Sequence, residues 1–116
     1  MALAVCRAIK VLCVAGDEEE LRALRLATTA AEWELTPGAT SVTDALGVVD
    51  AERPHAMVAF GPYEQLVSLV RERFPAMRIV TDRDTPGASA VAISRDDVRE
   101  ALRSLARPGG PILEQP

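Results

Sequence analysis

Aromatic residues are scarce, with one Trp, one Tyr and two Phe in 116 residues. Stacking on aromatic rings carries much of single-strand nucleic-acid binding, so this supply argues against that class. Positive charge is short as well: 13 Lys and Arg stand against 17 Asp and Glu, a net charge of −4. A surface that tracks phosphates needs a basic stripe, and the sequence has none, so no nucleic acid is expected to bind this domain. No apolar run approaches the ~18 residues of a membrane span, and no membrane contact is expected. The opening "MALAVCRAIK" sets Arg7 and Lys10 after its apolar residues, the reverse of a secretion signal, and reads as the lead-in to a strand. A cytoplasmic address is the resulting expectation.

Reactive side chains are equally few. His55 is the sole histidine, and there is no GxSxG, so a Ser/His/Asp or Cys/His set for acyl chemistry is missing. Cys6 and Cys13 are the two cysteines. On one extended segment they lie roughly 23 Å apart. That exceeds the Cα separation of about 7 Å that a disulfide tolerates, so both are read as small apolar packing residues. Gly16 stands without a GxGxxG or a P-loop lysine, and four acids follow it, which disfavours a nucleotide phosphate there. No cofactor is expected.

What is present is a regular alternation. Apolar residues are 48 % and charged residues 26 %, the balance of one globular domain. "AIKVLCVA", residues 8–15, reads as a strand buried on both faces. Asp17 then starts a helix whose Leu21, Leu24, Ala27 and Ala31 make a core-facing stripe. "WELT" (33–36) is a brief second strand ended by Pro37-Gly38. Ser41 caps a second helix with Asp44 at its third position and Val42, Ala45, Leu46 and Val49 inward. "HAMVAF" (55–60) is the third strand. A helix over 63–74 buries Leu66, Val67, Leu69 and Val70. "MRIVT" (77–81) and "ASAVAI" (88–93) are the fourth and fifth strands. Ser94 caps a last helix with Val98, Ala101, Leu102 and Leu105 inside. Trp33 and Tyr63 are read as packing residues. Residues 1–107 form the domain, and 108–116 a mobile tail or linker.

Strands alternating with helices predict a mostly parallel sheet covered on both faces. One joint departs from this. Only "DRDTPG" separates the fourth and fifth strands, whereas a parallel crossover through a helix takes a dozen or more residues. Either the fifth strand turns back antiparallel or a covering helix has been reduced to a loop.

This order resembles the receiver domain of bacterial response regulators over about Ile9 to Ala106. "AEWELTPGATSVTDAL" is similar to the second-strand region of receivers joined to LuxR-type DNA-binding domains. "ERPHAMVAF" resembles the strand that ends on the phosphoacceptor, and "RERFPAMRIVT" the approach to a fourth strand with its terminal hydroxyl residue. "GASAVAIS" resembles the fifth strand. The resemblance implies a three-layer α/β/α, flavodoxin-like (CheY-like) fold with a five-stranded, mostly parallel sheet. It also exposes departures. The family's magnesium-holding acidic pair falls on Ala15 and Gly16, its phosphoacceptor aspartate on Phe60, and its lysine on Ser94. Only Thr81 matches its family role.

Phosphoryl transfer to a carboxylate needs the nucleophile, a hard cation on oxygen ligands and a positive group for the developing charge. His55 begins the third strand, at the wrong end for that site. Asp17, Asp82 and Asp84 follow strand ends and are the weak candidates for a metal site, but "DEEE" reads first as an N-cap with acids complementing the helix dipole. The expectation is a phosphorylation-independent pseudo-receiver in bacterial signal transduction, not an enzyme, that binds a protein partner or a second copy of itself. Its contact face runs along the fourth strand, the fifth strand and the last helix, at Arg78, Val80, Val91, Ile93, Val98 and Arg99. Two rivals are a divergent metal-dependent phosphoacceptor using Asp17 or Asp82, and a flavodoxin-like small-molecule binder with its ligand beyond the strand C-termini.

Overall fold

A computed structural model describes residues 9–106. Cys6 and the expected tail at 108–116 lie outside the described residues. The chain runs β1 (Ile9–Val14), α1 (Glu18–Thr28), β2 (Trp33–Leu35), α2 (Val42–Glu52), β3 (Ala56–Ala59), α3 (Glu64–Arg73), β4 (Arg78–Thr81), β5 (Ala90–Val91), a 3-10 turn (Arg95–Asp97) and α4 (Val98–Ala106). The sheet order is β2-β1-β3-β4-β5, and every pairing is parallel.

The period of two in the strands sorts their side chains between two cores. Val11, Cys13 and Ala15 of the β1 segment, with Val58 and Val80, pack against Leu21 and Leu24 of α1 and Val98 and Leu102 of α4. Leu12 and Val14, with Met57, Ala59 and Ile79, pack against Val49 of α2 and Leu66, Val67 and Val70 of α3. Both faces are therefore covered, as strands without polar alternation require. Burial pushes the Cys13 thiol up to about 11, against smaller downward pulls from the Thr28 hydroxyl and the Arg25 charge. It packs as an apolar group.

Local chemistry starts and stops the helices. Asp17 Oδ1 accepts from the Glu20 N–H at 2.8 Å, and Ser41 Oγ accepts from the Asp44 N–H at 3.1 Å. Two expectations are corrected. Ser94 makes no side-chain cap; its hydroxyl donates to Asp97 Oδ2 (3.3 Å), and the helix opens with the 3-10 turn instead. Ala31 is exposed, because α1 ends at Thr28, three residues earlier. There the Thr28 hydroxyl returns to the Leu24 carbonyl, and the Thr28 carbonyl accepts from Trp33 Nε1 (2.7 Å each), seating the one tryptophan in the core.

The irregular joint is resolved in favour of the loop. β5 is parallel, and no helix stands between it and β4. So short a link suffices because β5 pairs only with the last two residues of β4, Val80 with Ala90 and Thr81 with Val91. The chain turns at Thr85–Ala88, with Gly87 at φ +95°, a conformation side chains rarely adopt. Ser89 then satisfies both backbone groups of Ile79: its N–H donates to the Ile79 carbonyl (2.7 Å), and its hydroxyl accepts the Ile79 N–H (3.0 Å).

Arg71 of α3 takes over the anchoring that a crossover helix would provide. Its guanidinium donates to the carbonyls of Pro75 (2.7 Å), Met77 (2.9 Å) and Gly87 (2.7 and 3.1 Å), and to Ser89 Oγ (3.2 Å). The planar fork of five N–H donors suits this convergence, which a lysine cannot reproduce. Arg71→Ala is expected to lower the unfolding free energy by about 1–2 kcal/mol. It should also speed amide exchange at Ile79 and Ala92 well before the amides of β1. Chemical denaturation with site-resolved hydrogen exchange checks this; unchanged exchange at Ile79 and Ala92 contradicts it.

Candidate functional site

Parallel strands bring their C-terminal ends to one edge, and in open α/β sheets that edge is where chemistry collects. Here it is formed by Ala15 and Gly16 after β1, Phe60 after β3 and Thr81 with Asp82 at the end of β4. Ala15 is buried, its N–H on the Ala39 carbonyl at 3.2 Å. Gly16 is exposed, and a Cβ there would approach Glu20 Oε1 to 3.1 Å. Phe60 continues the alternation of β3: its backbone N–H bonds the Val14 carbonyl (2.9 Å), and its half-buried ring packs on the core beneath α1 and α4.

Tyr63 closes the same edge from the other side. After Phe60 the chain turns at Gly61, whose φ of +129° is a conformation that side chains rarely adopt. That turn swings Tyr63 back, and its hydroxyl donates to the Ala15 carbonyl at 2.8 Å. Partial burial and the Glu20 carboxylate hold the Tyr63 hydroxyl above its usual pKa, so it stays a protonated donor. The last open carbonyl of the β1 segment is thereby satisfied by a side chain. Sequence reading placed Tyr63 only as a packing residue, and no local signal marks a bond across 48 positions.

Two of the acids that follow the strands are already engaged. Asp17 caps α1. Asp82 Oδ1 accepts from the Gly61 N–H (3.2 Å), and its carboxylate is paired with Arg83 (3.0 and 3.2 Å). Asp84 is exposed. Among the described residues, no three His, Cys, Asp or Glu side chains converge as a metal ion would require. The Thr81 hydroxyl, at the one position that matches the receiver pattern, is buried and donates to the Arg83 carbonyl (2.6 Å). Ser94 stands three residues beyond the end of β5, exposed.

The expected contact face is only partly a surface. Val80 and Val98 have no exposure: Val80 is an interior strand residue of a sheet covered on both faces, and Val98 lies on the inward face of α4. Arg99 is tied to the end of α1, donating to the carbonyls of Thr29 (2.8 Å) and Leu26 (3.3 Å). Arg78 is exposed and donates to the Leu105 carbonyl. Val91, 44 % exposed, and Ile93, 82 % exposed, remain as apolar surface at the β5 edge.

No protein-family model and no curated protein matches the chain by sequence. Among solved structures, it is similar to a two-component transcriptional regulator AraC from Clostridium phytofermentans, with TM-score 0.72 at 14 % identity, over 94 % of this chain and 100 % of that one. It is also similar to the isolated REC domain of RcsB from Salmonella enterica serovar Typhimurium in the presence of the phosphomimetic BeF3−, with TM-score 0.71 at 15 % identity over 88 % and 91 % of the two chains. A third is the chemotaxis response regulator CheY4 of Vibrio cholerae, with TM-score 0.67 at 15 % identity over 84 % and 98 %. The fold is thus the CheY-like, flavodoxin-like α/β fold of receiver domains. At these identities the likeness carries the fold alone, and the chemistry has to be argued from the side chains. No described helix is long and apolar enough to cross a membrane.

Burial opposes ionisation of Asp82, but the Arg83 guanidinium and the Gly61 N–H together outweigh it and hold the carboxyl below the usual carboxylate range. A folded-state pKa below the unfolded one stabilises the protein above the unfolded value, about 3.9, and the benefit fades as pH falls through the folded value. Asp82→Asn is therefore expected to be less stable than the parent at pH 7, with the gap closing on acidification below about pH 4. Urea unfolding across pH checks this; a gap independent of pH contradicts it.

Proposed function

We propose that this domain is a pseudo-receiver that works by binding protein partners in signal transduction and takes no phosphoryl group. The observation that carries the reading is Phe60. Its ring, packed on the sheet, stands where the receiver pattern puts a phosphoacceptor, with Ala15 and Gly16 in place of the acidic pair. Bringing a dianion beside that ring costs desolvation, and neither a cation-holding carboxylate nor a lysine stands ready to offset it. The neighbouring acids have other partners: Asp17 holds a helix N-terminus, and Asp82 holds a turn and an arginine.

The reading assigns binding to the free edge. β5 closes one side of the sheet, no helix stands between β4 and it, and Val91 and Ile93 are exposed there. An exposed edge strand with apolar side chains invites pairing, and a second copy or a partner strand supplies it.

The test uses Mg2+ with acetyl phosphate, followed by intact mass and thermal melting. Binding at about a hundred times the dissociation constant would add roughly 2.7 kcal/mol of stability. For a domain of this size that raises Tm by about 10 °C or more. No added mass and no magnesium-dependent rise are expected. A stable phosphoryl adduct, or a rise on that scale, overturns the reading in favour of a divergent phosphoacceptor.

A further inference from the structure

A cavity lies at the opposite end of the sheet from the receiver-type edge. It is a groove of about 640 Å3 running past the N-terminal ends of β1, β3 and β4 and beneath the end of α4. Its floor is apolar, including Ile9, Trp33, Phe74, Met77, Leu102 and Leu105. Its polar lining is of one sign. Arg53, Arg73 and Arg78 stand along it with His55, and among the described residues no Asp or Glu lines it. In a chain with 17 acids and a net charge of −4, that is a local reversal of charge.

Two of these arginines are held in place. Arg53 and Arg73 both set their guanidinium carbons 5.6 Å from the centre of the Phe74 ring. Asp50 is the acid that meets them: its carboxylate pairs with Arg73 at 2.8 Å, and its backbone carbonyl accepts from Arg53 Nε at 3.2 Å. Arg78 gives one donor to the Leu105 carbonyl. Each guanidinium carries five N–H donors, so each keeps several for a further acceptor. His55 Nδ1 accepts the Lys10 N–H at 3.0 Å, which leaves Nε2 as its donor.

The backbone of Arg53 is a second, independent sign. It ends α2 in the left-handed conformation, φ 50° and ψ 58°, and is the sole non-glycine with positive φ among the described residues. Glycine is the residue this cap position ordinarily takes, because any Cβ is strained there. A strained arginine at a position suited to glycine argues that the guanidinium has a use beyond the cap.

We propose that this groove is a docking site for an acidic, apolar peptide segment of a protein partner, with a large apolar side chain seated on the floor and its flanking carboxylates on Arg53, Arg73 and Arg78. A small anionic ligand is less suited. All three arginines and His55 are exposed along the rim, so no polar anchor is enclosed with the apolar floor. An open groove with charges along its margin fits an extended chain. The groove is separate from Phe60 and from the β5 edge.

The test is selection of random displayed peptides on the immobilised full chain. Enriched sequences are expected to carry a large apolar residue flanked by Asp or Glu, and to bind about tenfold more weakly to Arg78→Glu. They should also bind more weakly to Arg53→Gly, which removes a charge while relieving the cap, so its melting temperature should hold or rise. Val91→Glu, at the other surface, should bind as the parent does. Several outcomes overturn the proposal. These are no enrichment, enriched peptides without acids, binding indifferent to Arg53→Gly and Arg78→Glu, or decanoate binding in the groove where no peptide does. Nuclear Overhauser contacts from the Ile112 or Leu113 methyls to Leu105 in the free chain would assign the groove to the chain's own end, and overturn it too.

Discussion

The double-sided burial of β1 and β3 is the constraint on which everything else depends. Their paired residues, Val11 with Ala56 through Val14 with Ala59, lie at the centre of the sheet with essentially no exposure. No charged side chain is tolerated along such a pair, and every backbone group must find its partner within the ladder. Parallel pairing then forces crossovers, which lay α1 over one face and α2 and α3 over the other, and α4, following β5, joins α1 on its face. Two sheet ends are left, each with its own chemistry.

At the C-terminal end, the apolar character of the central strands extends past the ladder through Ala15 and Phe60. Polar groups there are consumed internally. The Tyr63 hydroxyl meets the Ala15 carbonyl, Thr81 meets the Arg83 carbonyl, and Asp82 meets Gly61 and Arg83. An edge with its donors and acceptors matched in this way gains rigidity. At the N-terminal end the balance is reversed. Among the described residues, apolar surface remains open there, and the arginines beside it keep donors to spare.

Short-range patterns made most of the fold legible in the sequence. The uncharged runs of β1 and β3, the Asp17 and Ser41 caps and the period of the helices all act within a few residues, and the structure places them as the pattern indicates. The six-residue joint before β5 also pointed to a missing helix. What the sequence could not disclose depends on distant partners. Arg71 reads as a solvated helix position until Gly87 and Ser89 are folded beneath it. Val80 reads as surface because nothing local reveals that α4 lies over that face, whereas the helical period already turns Val98 inward. The candidate positions Ala15, Gly16, Phe60 and Thr81 come from the resemblance to receivers, matched strand end by strand end. The Tyr63 closure depends on the turn at Gly61, and the arginine groove on the αL backbone of Arg53, neither of which has a composition signal.

The proposed closure of the receiver-type edge to a divalent cation can be read by a site-resolved titration with Mg2+ alone. Amide resonances of Ala15, Gly16, Phe60 and Asp82 are followed by heteronuclear NMR as the metal is added, and again with a monovalent salt at equal ionic strength. Each of the four is expected to move no further with Mg2+ than with the monovalent salt. Saturable, magnesium-specific shifts confined to these amides would show a working cation site and contradict it.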